Sequence, residues 1–194
     1  DKIKELESTD PQFLALQKAR KSIWNQNPDL FLYLVLQCAL VGYQISWSGE
    51  LWRWEFWNKI SQDRDKLNNL RDNNKSNNKR RYSFLTTSQY NKRIYNIKTN
   101  RLLKFEQILN HTKNFSQYQS NMIELQKQIA KTMKSKPQTK TIVFAIKMFG
   151  YACQAINKTD IAYPIYPQAI SIPVDSRIKA IYKKQFPNTD HTDT

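Results

Sequence analysis

Lys134-Ser-Lys-Pro-Gln-Thr139 is a tight polar break between two helical patterns, and it leads into Lys140-Thr-Ile-Val-Phe-Ala-Ile-Lys-Met-Phe-Gly-Tyr-Ala152. In the second stretch Ile142, Val143, Ile146 and Phe149 recur at helical spacing and form an apolar face. Before the break, Met122, Leu125, Ile129 and Met133 do the same over Gln119 to Met133. Helix, short hairpin, helix is therefore the local arrangement. Only three Gly occur in 194 residues, and helix formers fill the spaces between turn clusters, which extends the reading to an all-α chain.

Working outward, Asp10-Pro11 is a helix start, an Asp N-cap with Pro at the first helical position. A helix is predicted from Pro11 to about Trp24, and a second from Pro28 to about Tyr43. The second is apolar on nearly every side and should be the central core helix. A loop at Ser46–Glu50 precedes the aromatic segment Leu51-Trp-Arg-Trp-Glu-Phe-Trp57. After a low-complexity Asn/Lys-rich loop at 72–81, Tyr90, Ile94 and Ile97 suggest a helix running toward Leu103 and Ile108. Beyond Asn157 a loop with Pro164 and Pro167 ends in Ile172-Pro-Val-Asp175, where Asp175 caps a last helix from Ser176 to Phe186.

Lys and Arg number 31 against 16 Asp and Glu, a formal net charge of +15. That balance disfavours calcium or acidic ligands and points to a polyanion, nucleic acid first. From Ser61 to Lys104 alone, twelve Lys and Arg face three Asp, which reads as a solvated insertion or as a basic loop along a phosphate backbone. Cys38 and Cys153 are too few for a four-Cys zinc site or an iron–sulfur cluster, and two His add little, so no metal is expected. The same sparse cysteines suit a reducing interior. The longest apolar run, Leu30 to Val41, contains Gln37 and falls short of the ~20 residues that cross a bilayer. No membrane partner is expected.

A lysine becomes a nucleophile when its amine can lose its proton. Lys140 opens a helix, where the positive end of the macrodipole disfavours another cation, and Lys134, Lys136 and Lys147 push the same way. Taken alone, each of these residues has an ordinary role: Lys140 as a surface lysine, Asp175 as a cap, Trp54 and Phe144 as core aromatics, Gln12 as an exposed polar residue. A Lys just past a hairpin, followed after a Pro-containing loop by an Asp at a helix start, is a more specific arrangement.

Lys140-Thr-Ile-Val-Phe-Ala-Ile-Lys147 with Ile172-Pro-Val-Asp-Ser-Arg177 resembles the archaeal 8-oxoguanine DNA glycosylase/lyases, a divergent branch of the helix-hairpin-helix glycosylase superfamily. Leu6-Glu-Ser-Thr-Asp-Pro-Gln-Phe13 and the Gly49-Glu50 to Trp54-Glu55 segment match the same family in the same order. The resemblance implies two helical lobes with the active site in the cleft between them, spanning residues 1–194 as one glycosylase domain. It implies Lys140 as the catalytic amine that forms a Schiff base with the deoxyribose C1′, and Asp175 as the catalytic carboxylate. Gln12 would hydrogen-bond the flipped base, Trp54 and Phe144 would stack on it or wall its pocket, and Lys147 would be a second pocket lysine. Such an enzyme needs no cofactor and no metal. Its partner is damaged, 8-oxoguanine-containing DNA, and it works in base-excision repair as a monomer beside the chromosome in a prokaryotic cytoplasm.

The sequence departs from that family in two places. The hairpin holds no Gly, and Pro137 removes an N–H donor, so Lys134 and Lys136 are expected to contact the DNA backbone through their side chains. The family also continues for several helices past the segment matching Ser176–Phe186, supplying an acidic residue and a second tryptophan to the pocket, so carboxy-terminal helices are expected to be missing here. Two other readings remain open: a non-catalytic basic helical protein that binds nucleic acid, and a glycosylase for another damaged base.

Overall fold

Asn27-Pro28 begins the helix around which the rest is built. The Asn27 side chain accepts from the Leu30 amide at 3.0 Å, and Pro28 occupies the first turn where no N–H is required. The computed structural model describes residues 9–23, 27–62, 82–109, 114–157, 180 and 183–185. The 72–81 loop, Asp175 and most of the helix expected from Ser176 lie outside the described residues. The helices are α1 (Pro11–Ile23), α2 (Pro28–Leu40), α3 (Gly49–Gln62), α4 (Tyr95–Leu109), α5 (Met122–Met133) and α6 (Lys140–Asn157), with 3₁₀ turns at Ser83–Leu85 and Phe115–Gln119. Among the described residues the fold is all-helical, as expected. None of these helices is long and apolar enough to cross a membrane.

α2 is buried along its whole length from Phe31 to Leu40, and α6 is its principal neighbour. α1 packs on α6 and α3, while α5 joins α4 to α6. Gln37, the one polar residue in the run, donates to the Tyr33 and Tyr82 hydroxyls at 2.8 and 2.7 Å, and Tyr82 donates to Glu106 at 2.5 Å. A buried amide with partners costs little, which is why the run tolerates it. Tyr33 stacks on Phe105 with centroids 5.3 Å apart, tying α2 to α4.

Four boundaries differ from the sequence reading, the first being α3, which starts at Gly49 inside the stretch read as a loop. α2 stops at Leu40 rather than near Tyr43, and the Val41 carbonyl turns instead to the Asn91 side-chain amide at 3.1 Å. The Asn121 side chain accepts from the Glu124 amide, so α5 starts at Met122 and Gln119 belongs to the preceding 3₁₀ turn. Ile94 adopts φ 51° just ahead of α4 and is not helical.

The hairpin manages without glycine because Lys134 itself takes the left-handed conformation, φ 51° and ψ 47°. The Ser135 amide then reaches back to the Ala130 carbonyl at 2.9 Å, the closing bond of a Schellman turn. Gln126, buried on α5, donates to the Pro137 carbonyl at 3.0 Å and fixes the far side of the turn. A side chain at positive φ is strained, so Lys134→Gly should raise stability by about 0.5–1 kcal/mol, net of the added freedom of the unfolded chain. A thermal melt of the two proteins reads this; an unchanged or lower Tm would show that the lysine is at ease there.

Lys98 on α4 has no exposed surface. Its ammonium donates to Asn91 Oδ1 and lies 5.2 Å over the Tyr43 ring. Burial, with the Arg93 charge adding to it, pushes its pKa down to about 8 from 10.5. Below about pH 8 both folded and unfolded chains hold the proton. Between about 8 and 10.5 the unfolded chain keeps a proton the native state has released, so stability contributed by this site rises with pH. Urea denaturation of wild type against Lys98→Met should therefore show the wild type gaining on the variant across that window. Parallel pH curves would mean Lys98 titrates as a free lysine.

Candidate active site

Lys140 is the first residue of α6 and is exposed, just past the hairpin that carries Lys134 and Lys136, also exposed. The Thr139 carbonyl opens the helix by accepting from the Ile142 and Val143 amides at 2.8 and 3.0 Å. Arg101 of α4 donates to the Thr141 hydroxyl at 2.7 Å, and its guanidinium lies 5.4 Å over the Tyr43 ring, so the start of α6 is anchored from the side. Lys140, Phe144 and Lys147 follow at helical spacing along one face of α6.

Asp10 joins that face to α1. Its Oδ1 accepts from the Gln12 amide at 2.8 Å, capping α1 as its sequence position predicts. Its Oδ2 accepts from the Tyr151 hydroxyl at 2.9 Å and lies 3.6 Å from the Lys147 ammonium, which also sits 5.1 Å over the Tyr151 ring. Only about a third of the Lys147 side chain is exposed. One carboxylate thus sets the start of α1 and the pose of a lysine two turns into α6.

Between α1, α2, α3 and α6 lies a cavity of about 110 Å³. This is the same order as cavities of ~150 Å³ that take up a benzene-sized ring. Gln12, Phe144, Met148, Arg53, Trp57 and Cys38 are among its walls. Gln12 Oε1 is buried without a hydrogen-bond partner among the described residues. Burial pushes the Cys38 thiol up to about 12, against the opposing pull of Arg53, so it is no thiolate nucleophile. At the rim, hydrogen bonds from its own backbone and from Ser48, with Arg53 close by, hold the Glu50 carboxyl below its usual range. Among the described residues no group of three His, Cys, Asp or Glu could hold a metal ion.

The sequence pattern of AGOG: N-glycosylase/DNA lyase matches residues 1–186. The chain belongs to this family. It is 35% identical over 175 residues to an N-glycosylase/DNA lyase of Methanococcus maripaludis, covering 89% of this chain and 65% of the relative. It is 36% identical over 177 residues to the protein of that name from Thermococcus kodakarensis, covering 90% and 62%. The chain therefore spans a little under two thirds of these relatives. Its fold resembles that of Pa-AGOG, the 8-oxoguanine DNA glycosylase from Pyrobaculum aerophilum solved with 8-oxoguanosine, at a TM-score of 0.68 and 23% identity, covering 97% of this chain and 66% of the other.

Of the residues singled out from the AGOG resemblance, Gln12 and Phe144 line the cavity, while Lys147 does not line it but pairs with Asp10, whose other oxygen accepts from the Gln12 amide. Lys140 stands one turn ahead of Phe144 at the end of α6. Trp54 points elsewhere: it is 61% exposed on the outer face of α3, while Trp52 and Trp57 of the same helix turn inward to the cavity. Asp175 lies outside the described residues. The sequence reading passed over Arg53 and Trp57 as pocket residues, and over Asp10 as more than a cap. No local signal marked Arg53, since of the two tryptophans that flank it Trp52 is buried and Trp54 exposed.

Proposed function

We propose that this AGOG-family chain is a DNA glycosylase/lyase that removes 8-oxoguanine and then cleaves the abasic site. The observation that carries the reading is the alignment of Lys140, Phe144 and Lys147 on one face of α6, beside a cavity in which the Gln12 carbonyl has no partner among the described residues. A base inside a duplex cannot be reached, so the nucleotide is turned out into the cavity. Phe144 supplies a ring against it there with Lys147 as a pocket lysine, and Trp54, exposed outside the cavity, stacks on the base as it leaves the duplex. Gln12 offers its amide to the base edge. Lys134 and Lys136, with the excess positive charge of the chain, bear on the phosphates and place the enzyme at the chromosome.

The Lys140 amine, with its proton passed to Asp175, attacks the sugar C1′. The glycosidic bond breaks, and its electron pair leaves with the base, which takes the proton from Asp175 and restores its carboxylate. The Asp175 carboxylate offsets positive charge developing on the sugar. Opening of the sugar ring gives a protonated Schiff base on Lys140. Loss of a C2′ proton then expels the 3′ phosphate by β-elimination, and water releases the lysine. These steps use only this chain's residues and require no cofactor.

Borohydride trapping on an 8-oxoguanine duplex tests this directly, with undamaged duplex and Lys140→Gln as controls. A covalent adduct that needs both the lesion and Lys140 is the expected result. Salt-sensitive DNA binding with no adduct would leave a non-catalytic nucleic-acid-binding protein. An adduct with another damaged base but not with 8-oxoguanine would move the substrate and keep the chemistry.

A further inference from the structure

Two residues that line the cavity each carry a buried N–H without a hydrogen-bond partner among the described residues: Arg53 at Nε and Trp57 at Nε1, both residues 5% exposed. They stand four residues apart on α3 and so share one face of it. Buried polar atoms are almost always paired, so two orphan donors lining one cavity call for an explanation. The fold is able to satisfy such groups, because Trp52 on the same helix donates its Nε1 to the Cys38 carbonyl at 3.2 Å.

Both donors are held in place by contacts that leave the N–H free. The Trp57 ring stacks on Phe31 with centroids 5.5 Å apart and meets Phe56 edge-on at 5.4 Å. The Arg53 guanidinium reaches Glu50 at 3.4 Å through Nη2 and lies against Gly49, where an added Cβ would meet its terminal nitrogens at 3.3 Å. Gln12 of α1 lines the same cavity, and its Oε1 is an acceptor without a partner among the described residues. The cavity therefore offers two donors and one acceptor, and its complement is a flat ligand with two acceptors and an N–H.

A purine with carbonyls at both C6 and C8 has that pattern, with an N7–H between them. Guanine lacks the C8 carbonyl and the N7–H, and 8-oxoadenine carries an amine at C6. We propose that Arg53 and Trp57 are specificity residues that donate to the base's two carbonyl oxygens while Gln12 Oε1 accepts a ring N–H. This rests on the proposed removal of 8-oxoguanine and names the groups that would select it. Sites built to hydrogen-bond a ligand reject analogues that leave those groups unpaired.

The test is calorimetric titration of wild type, Trp57→Phe and Arg53→Met with 8-oxo-2′-deoxyguanosine, 2′-deoxyguanosine and 8-oxo-2′-deoxyadenosine. Nucleosides carry no phosphate, so the chain's net charge does not mask the base. Trp57→Phe keeps the ring on Phe31, and Arg53→Met keeps the apolar stem. Cleavage of a preformed abasic site, which needs no base, checks that each variant is folded. The wild type should prefer 8-oxo-2′-deoxyguanosine, and each variant should lose about tenfold for that ligand while the other two change less than about threefold. A preference unchanged in both variants, or an equal loss for all three nucleosides, overturns the assignment and leaves water as the cavity's partner. A wild type that cleaves abasic DNA yet binds none of the nucleosides overturns the base-removal reading, and this assignment with it.

Discussion

Lys140→Gln is expected to slow strand cleavage at a preformed abasic site by at least ~10³-fold, about 4 kcal/mol of barrier, while affinity for the same duplex changes less than about threefold. An amide nitrogen cannot add to C1′ and retain a Schiff base, so the covalent route closes instead of slowing. Lys140 is exposed at the first position of α6, and its removal opens no cavity. Losing a cation from a helix N-terminus is if anything mildly favourable, by about 0.3–1 kcal/mol. Stability should therefore hold, and a dead variant with a native melt separates chemistry from folding. Single-turnover cleavage and fluorescence anisotropy on one labelled duplex give both numbers. If the Lys140→Gln variant still cleaves at a tenth of the wild-type rate, the nucleophile is elsewhere. Lys147 would then be next in line, since the buried Cys38 thiol, with its pKa near about 12, is protonated at any working pH.

Much of the fold could be read before any coordinates, because hydrophobic period and caps act locally. Asp10-Pro11, the Met122-Leu125-Ile129-Met133 face and the polar break ahead of Lys140 each stand where the sequence puts them. What escaped depends on partners far along the chain. The apolar run through Val41 carries no local stop; α2 ends because Asn91, fifty residues on, takes the Val41 carbonyl. Lys134 occupies a turn position where glycine is usual, and only the Ala130–Ser135 bond reveals that the backbone went left-handed there. Gln12 and Phe144 could be named from the family resemblance, and both line the cavity. Arg53 could not be placed from sequence, since an arginine reads as solvated until the packing around it is known. In the Leu51–Trp57 run, aromatic residues fall on every side of a helix, so period alone does not say which tryptophan faces in.

That ambiguity gives the second large effect. Trp52→Ala should cost about 3–5 kcal/mol of stability, and Trp54→Ala, two residues away, less than about 0.5 kcal/mol. Trp52 is 1% exposed, meets Phe56 edge-on with centroids 5.5 Å apart, and lies parallel to Phe84 at 6.4 Å. Its indole N–H also satisfies the Cys38 carbonyl near the end of α2, so truncation strands a buried acceptor as well as opening a hole. At this chain length the loss corresponds to a Tm lower by about 10 °C. Trp54 has most of its surface in solvent, and its deletion leaves the core intact. On the proposed mechanism its exposed ring is a stacking surface, and such a surface contributes about 1–3 kcal/mol per base. Trp54→Ala should therefore melt like wild type and yet excise 8-oxoguanine about 10- to 100-fold more slowly. Thermal denaturation beside single-turnover excision reads both. A Trp54→Ala protein that excises at full rate would show that its indole never meets the base, and the stacking role would rest on Phe144 alone.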